Sequence, residues 1–333
     1  MGPVRGSAGP IRALMGKRGE SMGKYIGRRL LRLAGTMLAV SFLTYLLMYL
    51  APGDAAMKKL YAQGVAVSDD VLQQTRERMG LLRPFLEQYG DWALHALRGD
   101  LGESFKDGFP VAGKLVKGLH YTAILTVTSL ALSLLLSLPL SLAAALKKDS
   151  LLDHLTRFFS FIGNSLPNFL ISVLLMYFLC VKAKLLPVTA NESVKGLLMP
   201  CLALSLPICG RFIRQFRAEF LEQLGKPYVS GALTRGMKRR YVLRNVLHNV
   251  SVSILTIVGL SVGTLLGGSV VIETIFRWPG MGKLAMDAIT NRDYPVIQGF
   301  VLFTSTVYVL VNLLTDLCYR WIDPRLRESG VRK

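Results

Sequence analysis

The sequence predicts an all-α integral membrane protein with six transmembrane helices, and three observations carry that expectation. Of its 333 residues, 51% are hydrophobic and only 18% charged, with a mean hydropathy of +0.40, which is more apolar than a soluble domain requires. Six stretches contain no Asp, Glu, Lys or Arg: 33–53, 118–146, 158–181, 196–210, 245–272 and 294–315. The Lys and Arg residues between them fall unevenly on alternate sides.

Five of the six stretches match the roughly 20 residues of helix that cross a bilayer core. The fourth is shorter, but it runs into Arg211 and Arg214, whose aliphatic stems let a continuing helix place its charges among the headgroups. Leu125 to Leu146 is apolar or hydroxylic on every face, unlike the two-sided helix of a soluble domain. The expected spans are about 30–51, 121–146, 158–181, 196–215, 250–272 and 296–318. Ala51-Pro52-Gly53-Asp54 stops the first. A long outer segment follows, with a helical pattern over Val71 to Met79 and an aromatic, charged stretch over Phe85 to Leu97.

The formal net charge of +19 would suggest nucleic acid, were the charges not segregated. The flank to Arg32, the segments 147–157 and 211–244 and the tail from Arg320 hold 25 Lys and Arg, against six in the two short loops opposite. Short loops rich in Lys and Arg stay cytoplasmic, and long segments such as 51–120 are exempt. Both termini are therefore expected in the cytoplasm, where the excess charge faces anionic lipid. No nucleic-acid partner is expected. Residues 1–21 have no apolar face and read as a dispensable, disordered extension, with Met22 a candidate start. The folded domain is expected over 22–327 and a short tail over 328–333.

Several patterns imitate chemistry. Gly108 to Leu115 nearly spells a phosphate-binding loop, but Leu115 stands where a Ser or Thr would hold magnesium and no strand precedes it. Gly259-Leu-Ser261-Val-Gly263 matches a nucleophile elbow, yet lies mid-span without the strand-to-helix turn that exposes such a serine. Gly259, Gly263 and Gly267 recur every four residues and read as one helix face that lets a neighbour approach closely. Cys180, Cys201, Cys209 and Cys318 lack metal spacing and read as small buried residues. The four histidines are dispersed. No metal, cofactor or catalytic residue is expected.

The segment between the fourth and fifth spans is organised beyond what a basic loop needs. A short helix can begin after Pro227, present Gly231 and Ala232 on one side and stop at Gly236, before the cluster Lys238-Arg239-Arg240. Such a helix is shaped to dock. Further pieces are Tyr25-Ile-Gly-Arg-Arg-Leu-Leu, Ala51-Pro-Gly-Asp54, Met79-Gly-Leu81, Gln88-Tyr89 and Gly99-Asp-Leu-Gly-Glu-Ser104. Downstream come Gly267-Gly-Ser-Val-Val-Ile-Glu273-Thr-Ile-Phe-Arg-Trp278-Pro-Gly280-Met-Gly282, Arg292-Asp293-Tyr294-Pro295-Val-Ile-Gln298 and Asp323-Pro-Arg325. Together these resemble the inner-membrane permease subunit of dipeptide, oligopeptide and nickel importers of the ATP-binding-cassette type, over Met22 to Arg327.

The resemblance implies that Ser230-Gly231-Ala232 occupies the place of the family's Glu-Ala-Ala, that Gly236 is its matching glycine, and that this loop, with Arg239 and Arg240, couples to an ATPase. The acidic first residue is absent, Ser253 stands at the usual proline, and the stretch from Gly236 to Asn249 is one residue short. The implied partners are two cytoplasmic ATPase subunits, a second homologous permease in a heterodimer, and an extracytoplasmic solute-binding protein. Polar groups inside spans are costly unless turned inward, which makes Asn164, Ser165 and Asn168, around Pro167, candidates for the translocation path. Bonding between helices explains them equally well. The long outer segment favours nickel or a metal chelate over peptides as cargo. A secondary transporter would need no docking loop, and an intramembrane hydrolase using Ser261 would need a base that no span supplies.

Overall fold

The computed structural model describes residues 22–62, 64, 68–187 and 193–322, and every regular element among them is helical. The expected extension 1–21 and tail 328–333 lie outside the described residues, as does Asp323-Pro-Arg325. The long helices are α1 (Met22–Leu50), α5 (Val111–Leu146), α8 (Val194–Leu224), α10 (Arg239–Phe276) and α12 (Tyr294–Ile322). Each contains an apolar window able to cross a membrane, because in lipid a helix satisfies its own backbone groups.

The third expected span differs from a single rod. α6 (Leu151–Ser165) and α7 (Asn168–Leu175), the latter prolonged by a π-helical turn over Met176–Lys182, meet at 104° across a two-residue break. Pro167 explains the break. It has no N–H for the ladder, and its ring drives Leu166 to an extended φ of −82° and ψ of 132°. Five unbroken helices are long and apolar enough to span, and counting the bent pair as one span gives six.

The shorter elements are α2 (Ala55–Ala62), α3 (Asp69–Arg78), α4 (Phe85–Leu97), α9 (Pro227–Thr234) and α11 (Met281–Asn291). α3 and α4 coincide with the two patterns read in the long segment after α1. α3 begins at Ser68, whose hydroxyl accepts from Val71 N–H, an ordinary N-cap.

The hydroxyl groups of α5 have a packing role. Ser129, Ser133, Ser137 and Ser141 are all fully buried, and their four-residue spacing puts them along one side of the helix. Ser129 Oγ donates to the Cys201 carbonyl at 3.4 Å and Ser133 Oγ to the Ser205 carbonyl at 3.1 Å. Small side chains therefore bring α5 close to α8. Cys180, Cys201 and Cys209 are buried free thiols; the Cys318 side chain lies outside the described ones.

Beyond α8 lies α6, crossing it glycine to glycine. A Cβ at Gly210 would sit 3.0 Å from the Ser160 carbonyl oxygen and 3.5 Å from Gly163 Cα, with the Ser160 hydroxyl donating to the Gly210 carbonyl. Gly210→Val should therefore destabilise the protein by about 1–3 kcal/mol through overpacking, read as a lower thermal unfolding midpoint. An unchanged midpoint would mean that the helices do not meet there.

Candidate functional site

Two regions gather the residues that the sequence singled out. The first follows α8. α9 starts at Pro227, where the missing N–H costs nothing in a first turn, and ends in a Schellman arrangement: Gly236 at φ +77°, Gly236 N–H to the Leu233 carbonyl at 3.0 Å and Met237 N–H to the Ala232 carbonyl at 3.1 Å. The helix expected between Pro227 and Gly236 is present, and Gly236 carries the left-handed turn that a side chain would strain.

α9 is two-faced. Val229 is buried and Ala232 packs partly against the same core, while Ser230 is exposed and a Cβ on Gly231 would meet nothing within 4 Å. Of the two small residues expected to face outward, only Gly231 opens freely; Ala232 turns part of its surface inward, one residue further round the helix. Exposed apolar residues border that buried side and the turn after it: Tyr228 and Leu233 on α9, Met237 in the turn and Tyr241 at the start of α10, beside the exposed Arg235, Lys238, Arg239 and Arg240. The Arg240 guanidinium lies 4.7 Å above the Tyr241 ring. These apolar residues were not singled out in the sequence, although their presence in so basic a loop is the signal that could have marked them.

Behind α9 the core continues unbroken. Phe212, Phe216 and Phe220 of α8 and Val242, Val246 and Val250 of α10 recur every fourth residue, are all buried, and share one cluster with Val229. Phe212 and Phe216 stack with centroids 5.0 Å apart. The same cluster extends to Ile272, Phe276 and Trp278, so α9 is joined by packed side chains to the far end of α10. Beside it, Asp153 is sealed from solvent and gripped by Arg217 through two hydrogen bonds of 2.5 and 2.7 Å, a fork-to-carboxylate pairing.

The second region is that far end. Glu273 is fully buried; its carboxylate accepts from Thr122 Oγ1 at 2.8 Å, Gly282 N–H at 2.7 Å and Lys283 N–H at 3.1 Å. Thr122 Oγ1 in turn accepts from Met281 N–H at 2.9 Å. Together they satisfy the first three N–H groups of α11, whose partial positive charge suits an anion. Gly280 and Gly282 are required sterically: a Cβ on the first would strike the Glu273 carboxylate, and one on the second would lie 2.5 Å from Val270 Cα. Trp278 Nε1 closes the turn by donating to the Tyr121 carbonyl at 3.0 Å. The run from Glu273 to Gly282 is thus a clamp joining α10, α11 and α5.

A neighbouring clamp explains the other motifs. Asp293, buried between α11 and α12, accepts from Ser104 Oγ at 2.5 Å and Phe105 N–H at 2.9 Å. The Arg292 guanidinium donates to the Pro52 carbonyl and fills the space over Gly53, which sits at φ +112°. Asp54 caps α2 through Ala56 N–H at 2.8 Å and pairs with Arg76 at 2.6 Å. Gln298 Nε2 donates to the Ser41 carbonyl at 2.7 Å. Lys114, in the loop that imitated a phosphate site, is held by Asp107 at 2.5 Å and Ser104 at 3.0 Å.

The remaining expected residues are split. Asn164 and Ser165 are exposed and Asn168 half-buried, all at the α6–α7 bend. Gly259 is buried and Gly263 lies against Tyr308 of α12, whose Cε2 would be 2.9 Å from an added Cβ, whereas Gly267 is exposed with nothing near it. Among the described residues, an added Cβ at Gly267 meets nothing within 4 Å, so no close helix contact forms there as it does at Gly263. Ser261 Oγ donates to the Ile257 carbonyl at 2.7 Å, a common bond of a mid-helix serine.

Helices of membrane length, with a short exposed helix between two of them and a core running from it to a clamp, describe an α-helical membrane protein. The chain belongs to the family of binding-protein-dependent transport system inner membrane components: that model matches residues 137–328, and the family's N-terminal model matches residues 22–126. It is the membrane-spanning permease subunit of an ATP-binding-cassette importer, a class that works with ATPase and solute-binding subunits. Among its relatives is "Probable peptide ABC transporter permease protein y4tP" of Sinorhizobium fredii, 37% identical over 92% of this chain and 100% of that one. The glutathione transport system permease protein GsiC of Salmonella typhimurium is 34% identical over 91% and 98% of the two chains, and the metal-staphylopine import system permease protein CntB of Staphylococcus aureus 32% over 93% and 100%. The inward-facing MetNI methionine ABC transporter is alike in fold, with a TM-score of 0.52 and 14% identity over 63% of this chain and 96% of the matched one.

Glu273→Ala should strand two backbone donors and a hydroxyl, each unsatisfied group costing about 1–3 kcal/mol, whereas Thr122→Val removes two links, its bond to Glu273 and the one from Met281 N–H, and leaves the carboxylate its two N–H donors. The thermal unfolding midpoint should fall further for the first. The reverse order would contradict the clamp.

Proposed function

We propose that this permease carries a peptide or a metal chelate inward and couples that movement to ATP through α9, without catalysing a reaction itself. The carrying observation is the continuous core from Val229 on α9 to Trp278 beside the clamp, since motion imposed on α9 would be passed along packed, poorly compressible side chains. The exposed Tyr228, Leu233 and Met237 around α9 and its turn, with the basic residues beside them, suit a groove on an ATPase subunit. Ser230, Gly231, Ala232 and Gly236 shape that surface, and Arg239 and Arg240 border it.

The assembly we infer has two ATPase subunits, a second homologous permease and a solute-binding protein. The exposed Gly267 supports a second permease helix packing there. The partition of 25 Lys and Arg against six supports cytoplasmic termini, with α9 on the same side and the clamps outside. The domain runs over 22–327. Asn164, Ser165 and Asn168 supply polar groups where Pro167 bends the third span, and we assign them to the path. The cargo class follows from relatives named for peptide, glutathione and metal-staphylopine. The bond from Ser261 to its own helix supports a non-catalytic subunit.

Leu233→Asp should reduce uptake by the assembled importer to background while the protein still inserts, because it places a charge in the docking face without touching the core. Normal uptake would remove α9 from the coupling path. Cysteines introduced at Gln74 and Lys238 should react with an impermeant thiol reagent from opposite sides of the membrane; reaction from one side would refute the orientation.

A further inference from the structure

α4 has three sides rather than two. Phe85, Tyr89 and Trp92 form one, and pack edge-on against α1: Phe42 to Phe85 at 5.5 Å, Tyr45 to Tyr89 at 5.7 Å and Tyr49 to Phe85 at 5.3 Å between centroids. Ser41 and Tyr89 share a hydrogen bond of 3.0 Å. Glu87, Asp91, His95 and Arg98, at the end of the helix, form a second, exposed and charged side. The third carries Leu86, Leu94 and Leu97, which are 71%, 58% and 84% exposed. At about 100° per residue, the three sets occupy separate sectors, with the leucines between the aromatic and charged ones.

We propose that α4 lies in the headgroup layer of the membrane, with its leucine side among the lipid acyl chains and its charged side in water. Its aromatic side grips the last turns of α1, a helix whose Leu43, Leu47 and Leu50 are themselves 54%, 60% and 67% exposed along a membrane span. Both helices thus expose leucines away from the aromatic seam they share. Tyr45, Tyr49, Tyr89 and Trp92 gather along the last turns of α1, and amphipathic rings concentrate towards the edge of a bilayer. A helix with a large apolar face and a charged opposite face settles in that plane. Water on three large leucines would forfeit that burial. α4 thus anchors the segment after α1 against the bilayer, while Ser104 bonded to Asp293 and Pro52 bonded to Arg292 tie the same segment to the turn between α11 and α12.

The test uses the full chain in lipid nanodiscs, with single cysteines at Leu86, Leu94 and Leu97 or at Glu87 and His95, each spin-labelled and compared with the labelled parent. Labels at the three leucine positions should collide more with dissolved oxygen than with a water-soluble nickel chelate, and the two polar positions should show the reverse. Nickel-dominated collisions at both sets would put the helix in bulk water and overturn the proposal. Leucine-position labels that are wet alone and become shielded on adding the solute-binding protein would make the face a protein-docking surface, which also overturns it. Shielding from both reagents in the chain alone would mean a protein contact and refute it equally. A second readout is Leu94→Trp, whose fluorescence should be quenched by lipids brominated on the acyl chain; unquenched emission counts against the proposal.

Discussion

The Glu273 carboxylate, sealed from water, dictates how three helices meet. A buried charge is tolerable only where hydrogen bonds surround it, and here they come from α5, through Thr122, and from the start of α11. That requirement propagates. The chain must turn sharply after Phe276, which Arg277 achieves at φ +56°, and it must bring α11 near without a side chain at Gly280 or Gly282. A run of residues that looks like a signature is the local solution to one electrostatic problem.

The opposite end of the helices solves the same problem differently. Asp153 and Arg217 neutralise one another between α6 and α8, and between the two charged ends the helices are held by close packing and a few serine hydroxyl bonds. Serines of α5 and glycines of α6 and α8 permit close approach, while phenylalanines and valines fill the volume. Under the proposed function, helices pinned at both ends and closely packed between them would pass motion on as a body. Among the described residues, α9 joins that body through Val229 and Ala232, and Ser230 and Leu233 stay exposed.

Much of this was legible in the sequence because the bilayer imposes a simple rule on span length and charge. The lengths of the charge-free runs located the long helices, and Pro227 with Gly236 bounded α9. The bend at Pro167 was not resolved as a break, since the run 158–181 is free of charge throughout and one proline does not reveal an angle of 104°. Ala232 was read as outward because smallness marks close approach without saying on which side. Gly267 was grouped with Gly259 and Gly263 by spacing, yet spacing reports a shared face and not who occupies it. Thr122 could not be found at all, because its partners lie 151 and 159 residues away.

The docking of α9 is the step on which the transport account turns, and cross-linking measures it directly. A cysteine at the exposed Ser230, treated with a short bifunctional thiol reagent in the assembled importer, should join this chain to an ATPase subunit, with a yield that changes when ATP is bound. Absence of any ATPase adduct, or a link to the solute-binding protein instead, would contradict it.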